Sequence, residues 1–427
     1  MQIKHYETLD ETVVHHQCDN GLEVIFVLKP GFNKKFVSYT TKYGSLDDHF
    51  IVNGEEVRVP DGIAHFLEHK MFEKEDGDVF TQFGQNGANA NAYTSYDRTS
   101  YIFSTTTELY ANLKTLMNMV EQPYFTAETV EKEVGIIDEE LKMYLDDPDY
   151  RSYMELLKSM YQDSPLRVDI GGTSESIKQI THEHLYMCHE TFYHPSNMVI
   201  TIVGDLDYEE AIQFIEEHQN ARGINNNHTI ERIVPTEQRQ IVRPYTELRL
   251  DVNTTKVKIG YKGESDSLSP RERMKKDLSM LLALDIVFGE QSNYFYELQD
   301  KGLVDDSFDF AHSEEASFSF TMFAVNTNDD ELFVQAIDDI ITRVKDTQFF
   351  TDEQLMLKKR EIIGDYLSSL NSPEYISSQY TKYYIDGMNL YELLDVIDEI
   401  TVEDLATLFG TMLDKQYQSV SVVKPNV

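Results

Sequence analysis

Two segments of this chain repeat each other in order and at nearly the same distance. Ile177-x-x-Ile180-Thr181-x-Glu183-x-Leu185 returns as Ile397-x-x-Ile400-Thr401-x-Glu403-x-Leu405, an offset of 220. The run from Phe125-Thr126 to Pro148 aligns without a gap on Phe350-Thr351 to Pro373, an offset of 225. Two matches at nearly equal offsets mark a duplicated unit, and 427 residues suffice for two domains with a core each. The expected fold class is α+β: two homologous domains, each a mostly antiparallel sheet with helices packed on one face, facing each other across a cleft. Their expected bounds are residues 1–219 and 244–427. The linker between them, 220–243, is polar and carries Gly223-Ile224-Asn225-Asn226-Asn227.

Within the first half, residues 13–29 read as two strands around an Asn20-Gly21 turn, and 35–43 as a third strand. A polar loop is expected up to Pro60. Residues 89–95 and 100–105 read as paired strands rich in Tyr, Thr and Phe. Helical periodicity covers 109–121, 127–144, 150–161 and 181–193, and 197–203 is an apolar strand.

With 75 acidic against 37 basic residues, the chain carries a net charge of −38, which a phosphate backbone would repel; a nucleic-acid partner is excluded. Two cysteines are too few for a disulfide framework or a Cys-type zinc site. The longest apolar runs fall far short of a membrane span. The first residues, Met1-Gln2-Ile3-Lys4-His5-Tyr6-Glu7, show no apolar secretory core, so the cytoplasm is expected.

The chemistry concentrates in Gly62-Ile63-Ala64-His65-Phe66-Leu67-Glu68-His69. On a helix His65, Glu68 and His69 fall at i, i+3 and i+4 and share one face. Two imidazoles one turn apart hold one Zn²⁺, and a carboxylate between them reaches its water. This is the H-x-x-E-H order of the inverzincins. A catalytic zinc takes a third protein ligand, and the acidic run from Glu131 to Leu141 is the place to look. Its apolar stripe is Val134, Ile137, Leu141 and Tyr144. Glu133 and Glu140 fall inside that inward arc, whereas Glu131, Asp138 and Glu139 fall outside it. An inward carboxylate needs a partner, so Glu140 is the better ligand candidate, and Glu133 is placed to orient an imidazole.

Gly62-x-Ala64-His65-Phe66-Leu67-Glu68-His69, then Asn91-Ala92-Tyr93-Thr94-Ser95, then Glu133 and Glu140 together resemble the M16 family of zinc metallopeptidases, and within it the two-domain M16B branch. The resemblance spans essentially the whole chain and is stronger in the first half. It implies a zinc-dependent peptidase acting on extended peptides in a chamber between two domains. Zn²⁺ would sit on His65, His69 and Glu140, with Glu68 as general base and Glu133 supporting the site. It also implies that Asn91, Ala92, Tyr93 and Thr94 belong to an edge strand to which the peptide substrate adds.

One departure stands out. The family resemblance calls for an Arg and a Tyr seven apart in the second domain, but the matching segment, Tyr296 to Asp305, has Gln299 in place of the Arg and no Tyr at its end, where Asp305 would repel an oxyanion. In two-chain M16B peptidases one subunit carries zinc and the other that pair. The expectation is therefore a zinc-bearing subunit with a sister M16-like subunit, or a homodimer. The competing expectations are a non-catalytic peptide-binding or assembly partner and a dedicated maturation factor. The second His-rich patch, His182, His184 and His189 with Cys188, is expected to be a helix start capped by Thr181, without a metal.

Overall fold

Seven strands form the first sheet of the computed structural model, in the spatial order Gln2–Tyr6, Glu11–Gln17, Glu23–Leu28, Met198–Gly204, Lys35–Thr41, Thr99–Thr105, Ala88–Thr94. The structure describes residues 1–426 apart from 53, 76, 227, 265, 266, 346 and 347, so Asn227 of the expected linker lies outside it. Among the described residues, one pair in this sheet is parallel, Glu23–Leu28 with Met198–Gly204. The latter strand sits in the middle and every residue of it is buried. That is why 198–203 reads as an unbroken apolar run rather than an alternating one.

The neighbouring strand shows how its two faces are used. Val37 and Tyr39 join a core with Phe66, Leu67, Leu116, Ile137 and Ile202. Ser38 points the other way and meets Ser377 Oγ at 3.0 Å, and Thr201 Oγ1 meets Thr381 Oγ1 at 2.7 Å. The helix Pro373–Ile385 therefore covers this polar face, although it comes from far along the chain.

The second sheet runs Tyr245–Leu250, Gln418–Pro425, Thr255–Lys262, Ser319–Thr327, Asp309–Glu314. It too has a single parallel pair among the described residues, formed by its first two strands. Its order repeats that of the last five strands of the first sheet, which is the duplication seen again as topology. The helix Pro148–Met160 lies against this sheet. A Cβ added at Gly260 would stand 2.7 Å from Met160 Sδ and 3.0 Å from Leu156 Cδ2, so the close approach requires glycine.

The compact units are accordingly not contiguous in sequence. One comprises residues 1–141, 168–234 and 369–385; the other comprises 142–167, 235–368 and 386–427. The expected bounds of 1–219 and 244–427 are crossed by one helix from each half. The loop expected before Pro60 contains a hairpin, His49–Val52 with Glu55–Arg58. The expected linker begins inside the helix Tyr208–Arg222, and its Glu231–Arg232 pairs with that hairpin. The N-terminal strand Gln2–Tyr6 was absent from the sequence expectation; four of its five residues are exposed, which leaves little apolar pattern to read. Among the described residues no helix is long and apolar enough to cross a membrane.

Candidate metal centre

The helix Ile63–Met71 begins at Gly62, whose φ of +88° lies in the left-handed region. A Cβ there would collide with the Gly171 carbonyl, and one at Gly172, φ +82°, would collide with that of Asp61. Two glycines thus let the 168–173 turn press on the helix start, which fixes where the helix begins. Ile63, Phe66, Leu67 and Met71 bury one side of it. His65 and His69 stay on the other side, 16% and 25% exposed.

The second element is the long helix Ala127–Asp146. Ile137 is fully buried and Leu141 nearly so, while Glu131 and Glu139 are exposed. Tyr144, expected in the same apolar stripe, is 43% exposed, because the helix leaves the first unit after Leu141. Its beginning is tied to the His65 helix by Lys70, whose buried ammonium bonds to Glu73 and reaches the Thr129 carbonyl at 3.4 Å.

The two helices bring three donors together. His65 Nε2 lies 3.8 Å from Glu140 Oε1, and His69 Nε2 lies 3.6 Å from Glu140 Oε2. One ligand atom from each of the three residues falls within 4.8 Å of the others. Donors about 2.0–2.1 Å from a tetrahedral zinc stand roughly 3.3–3.4 Å apart, so the two His–Glu140 separations are within a few tenths of an ångström of that spacing. Glu133, 9% exposed, receives His69 Nδ1 at 3.0 Å. With its proton on Nδ1, His69 turns a lone pair on Nε2 toward Glu140. His65 has no such support, since its Nδ1 is buried without a hydrogen-bond partner. Nitrogen and oxygen donors with an oriented imidazole fit a zinc ion.

Electrostatics separate the two imidazoles. Burial, followed by the neighbouring His69, pushes His65 down to about 3, which leaves it neutral and available as a donor. His69 is held above its ordinary value; burial alone would lower it, but the Glu133 hydrogen bond and the charges of Glu68, Glu133 and Glu140 prevail. Glu68 is 8% exposed, and burial raises its carboxyl. Thr94 Oγ1 donates to Glu68 Oε2 at 2.6 Å, a contact with no sequence signal because it joins residues 26 apart on a helix and a strand.

Thr94 ends the strand Ala88–Thr94, which among the described residues pairs on one side only, with Thr99–Thr105, and forms the edge of the sheet. Asn91 and Ala92 line a cavity of about 690 Å³ that also touches Glu68, His69, Phe72 and Glu133. Tyr93 stands on the opposite face from Thr94 by the period of two. In the second unit, Gln299 is exposed on the helix Asn293–Asp300, and the Ser307 hydroxyl and backbone N–H hold the exposed Asp305 carboxyl below its usual range. Thr181 caps its helix by accepting from His184 N–H, and the buried His189 bonds the Val120 carbonyl.

Residues 55–174 match the family model described as insulinase (peptidase family M16), and residues 179–361 match the one described as peptidase M16 inactive domain. A Bacillus subtilis protein named "uncharacterized zinc protease YmfH" is 42% identical over 422 residues, 98% of this chain and 98% of its own length. A crystal structure described as an M16-like peptidase from Alicyclobacillus acidocaldarius superposes with a TM-score of 0.94 at 34% identity, covering 98% of this chain and 99% of that one. A protease from Helicobacter pylori shares the fold, with a TM-score of 0.81 at 20% identity over 97% and 99% of the two chains. This chain belongs to the M16 family.

Proposed function

We propose that this chain is a zinc-dependent peptidase subunit that hydrolyses extended peptides. The observation that carries the reading is the meeting of His65, His69 and Glu140 donors within 4.8 Å, beside a buried Glu68. Zinc held by these three residues supplies Lewis acidity for amide hydrolysis. Glu68, its carboxyl raised by burial, takes the proton of the attacking water and delivers it to the leaving amine. Thr94 fixes which Glu68 oxygen is free, and Glu133 fixes the tautomer of His69. The unpaired side of the Ala88–Thr94 strand accepts the peptide as an added strand, with Asn91 to Thr94 supplying main-chain hydrogen bonds. The location belonging to this reading is the cytoplasm.

Gln299 and the ionised Asp305 offer no cation or phenol to an oxyanion, so the reading includes a sister M16-like subunit or a second copy that supplies them. The same two residues favour the alternative in which the chain binds peptides without cleaving them. Zinc content and peptide cleavage by wild type and Glu68→Gln, each alone and with the sister subunit, separate the two. A peptidase retains zinc in Glu68→Gln and loses about 10²–10⁴-fold in turnover. Full turnover in that variant would remove Glu68 as the base, and zinc-loaded wild type inert in every combination would leave the binding alternative.

A further inference from the structure

A second set of metal-ligating side chains lies in the first unit, away from His65. His16 is on the strand Glu11–Gln17, Cys18 follows it directly, and Glu216 is on the helix Tyr208–Arg222. One ligand atom of each lies within 4.8 Å of the other two. His16 Nε2 meets Glu216 Oε1 at 2.7 Å, and the two side chains are 14% and 38% exposed. Cys18 is a free thiol only 4% exposed. The other nitrogen of His16, Nδ1, is buried without a hydrogen-bond partner among the described residues.

Ordinary packing accounts poorly for this arrangement. His16 turns Nε2, the nitrogen a metal would take, toward Glu216. The carboxylates of Glu216, Asp19, Glu23 and Glu121 surround the Cys18 thiol. Arg222 and His218 already engage Glu121, but Glu216 has only His16 as an ion-pair partner among the described residues. Carboxylates gathered around a thiol and an imidazole favour a divalent cation, whose binding would displace the thiol proton.

We infer that His16, Cys18 and Glu216 form a second divalent-metal site, for a borderline-soft ion of the Zn²⁺ or Co²⁺ class. Thiolate, imidazole and carboxylate are the donor set that such ions select over Mg²⁺ or Ca²⁺. Binding requires the His16–Glu216 pair to open from 2.7 Å toward roughly 3.3 Å, a movement that the half-exposed Glu216 can make. The site would clamp the Glu11–Gln17 strand to the Tyr208–Arg222 helix, and it does not depend on the peptidase reading.

Cobalt tests it, because only a thiolate ligand gives a sulfur-to-cobalt charge-transfer band, and His65, His69 and Glu140 include no thiol. The full-length chain carrying His65→Ala and His69→Ala is stripped of metal and titrated with Co²⁺ alone. One equivalent should bind with that band, Cys18→Ser should abolish the band, and Glu216→Gln should weaken Co²⁺ at least tenfold. No band in the double-alanine chain, or a band that survives Cys18→Ser, overturns the inference. If Cys18→Ser fails to fold, the half-exposed Glu216→Gln decides, and an unchanged Co²⁺ affinity there overturns it equally.

Discussion

Replacing Glu133 probes the support of the metal site without touching the three donors. Its carboxylate is nearly buried and receives His69 Nδ1–H at 3.0 Å. In Glu133→Gln an amide oxygen can still accept that proton, but the negative charge polarising the ring is gone. In Glu133→Ala both are lost and a buried N–H is left unpaired. Outer partners of this kind are worth 10–100-fold in metal affinity, or about 1.4–2.7 kcal/mol. Glu133→Ala should fall near the top of that range and Glu133→Gln near the bottom. Zinc dissociation constants from chelator competition at pH 8 measure this. The metal-free protein gives a second readout with a defined sign. His69 is raised above its unfolded value near 6.5, so its contribution to stability is complete below that pH and is lost as pH rises through the folded value. Glu133→Gln should therefore destabilise the metal-free chain more at pH 6 than at pH 9 in denaturant melts. Zinc affinity within threefold of wild type in Glu133→Ala would show that the 3.0 Å contact does not support a metal ligand.

Other variants address the remaining parts. Glu140→Gln should weaken zinc by more than about 100-fold, since it removes a ligand charge, while exposed Glu139→Gln should leave it unchanged; equal metal content would overturn the distinction. His65 has the opposite linkage to His69: its folded value is pushed down to about 3, so the unfolded chain takes up a proton that the folded one refuses. The metal-free protein should lose stability as pH falls from about 6.5 toward 3, by a few kcal/mol at most, and His65→Asn should flatten that slope. Gly62→Ala should destabilise by at least about 2 kcal/mol in a denaturant melt, because it strains a left-handed residue and drives a Cβ into the Gly171 carbonyl.

Local pattern made much of this fold legible. The apolar run at 197–203 announced a strand, which proves buried along its length, and the helix 109–121 was readable residue for residue from its period. The wheel separated exposed Glu139 from half-buried Glu140, because side-chain direction on a helix follows from spacing alone. What stayed hidden is what depends on partners far apart in sequence. Nothing local says that Pro373–Ile385 covers the first sheet, since its contacts at Ser377 and Thr381 are hydroxyl pairs with Ser38 and Thr201, more than 170 residues away. The Thr94–Glu68 bond was hidden for the same reason, and nothing local to Gly171-Gly172 shows its role, which lies in the approach of another segment at Gly62. The hairpin at His49–Arg58 escaped because its strands are short and the second, Glu55–Arg58, is mostly polar.

Diffraction from zinc-loaded crystals, collected on both sides of the zinc absorption edge, asks whether these helices meet around a metal. The account predicts an anomalous peak about 2.0–2.2 Å from His65 Nε2, His69 Nε2 and a Glu140 oxygen, with Glu68 nearby but unbonded. A peak elsewhere, or one bonded to Glu68 while Glu140 stands apart, would contradict it.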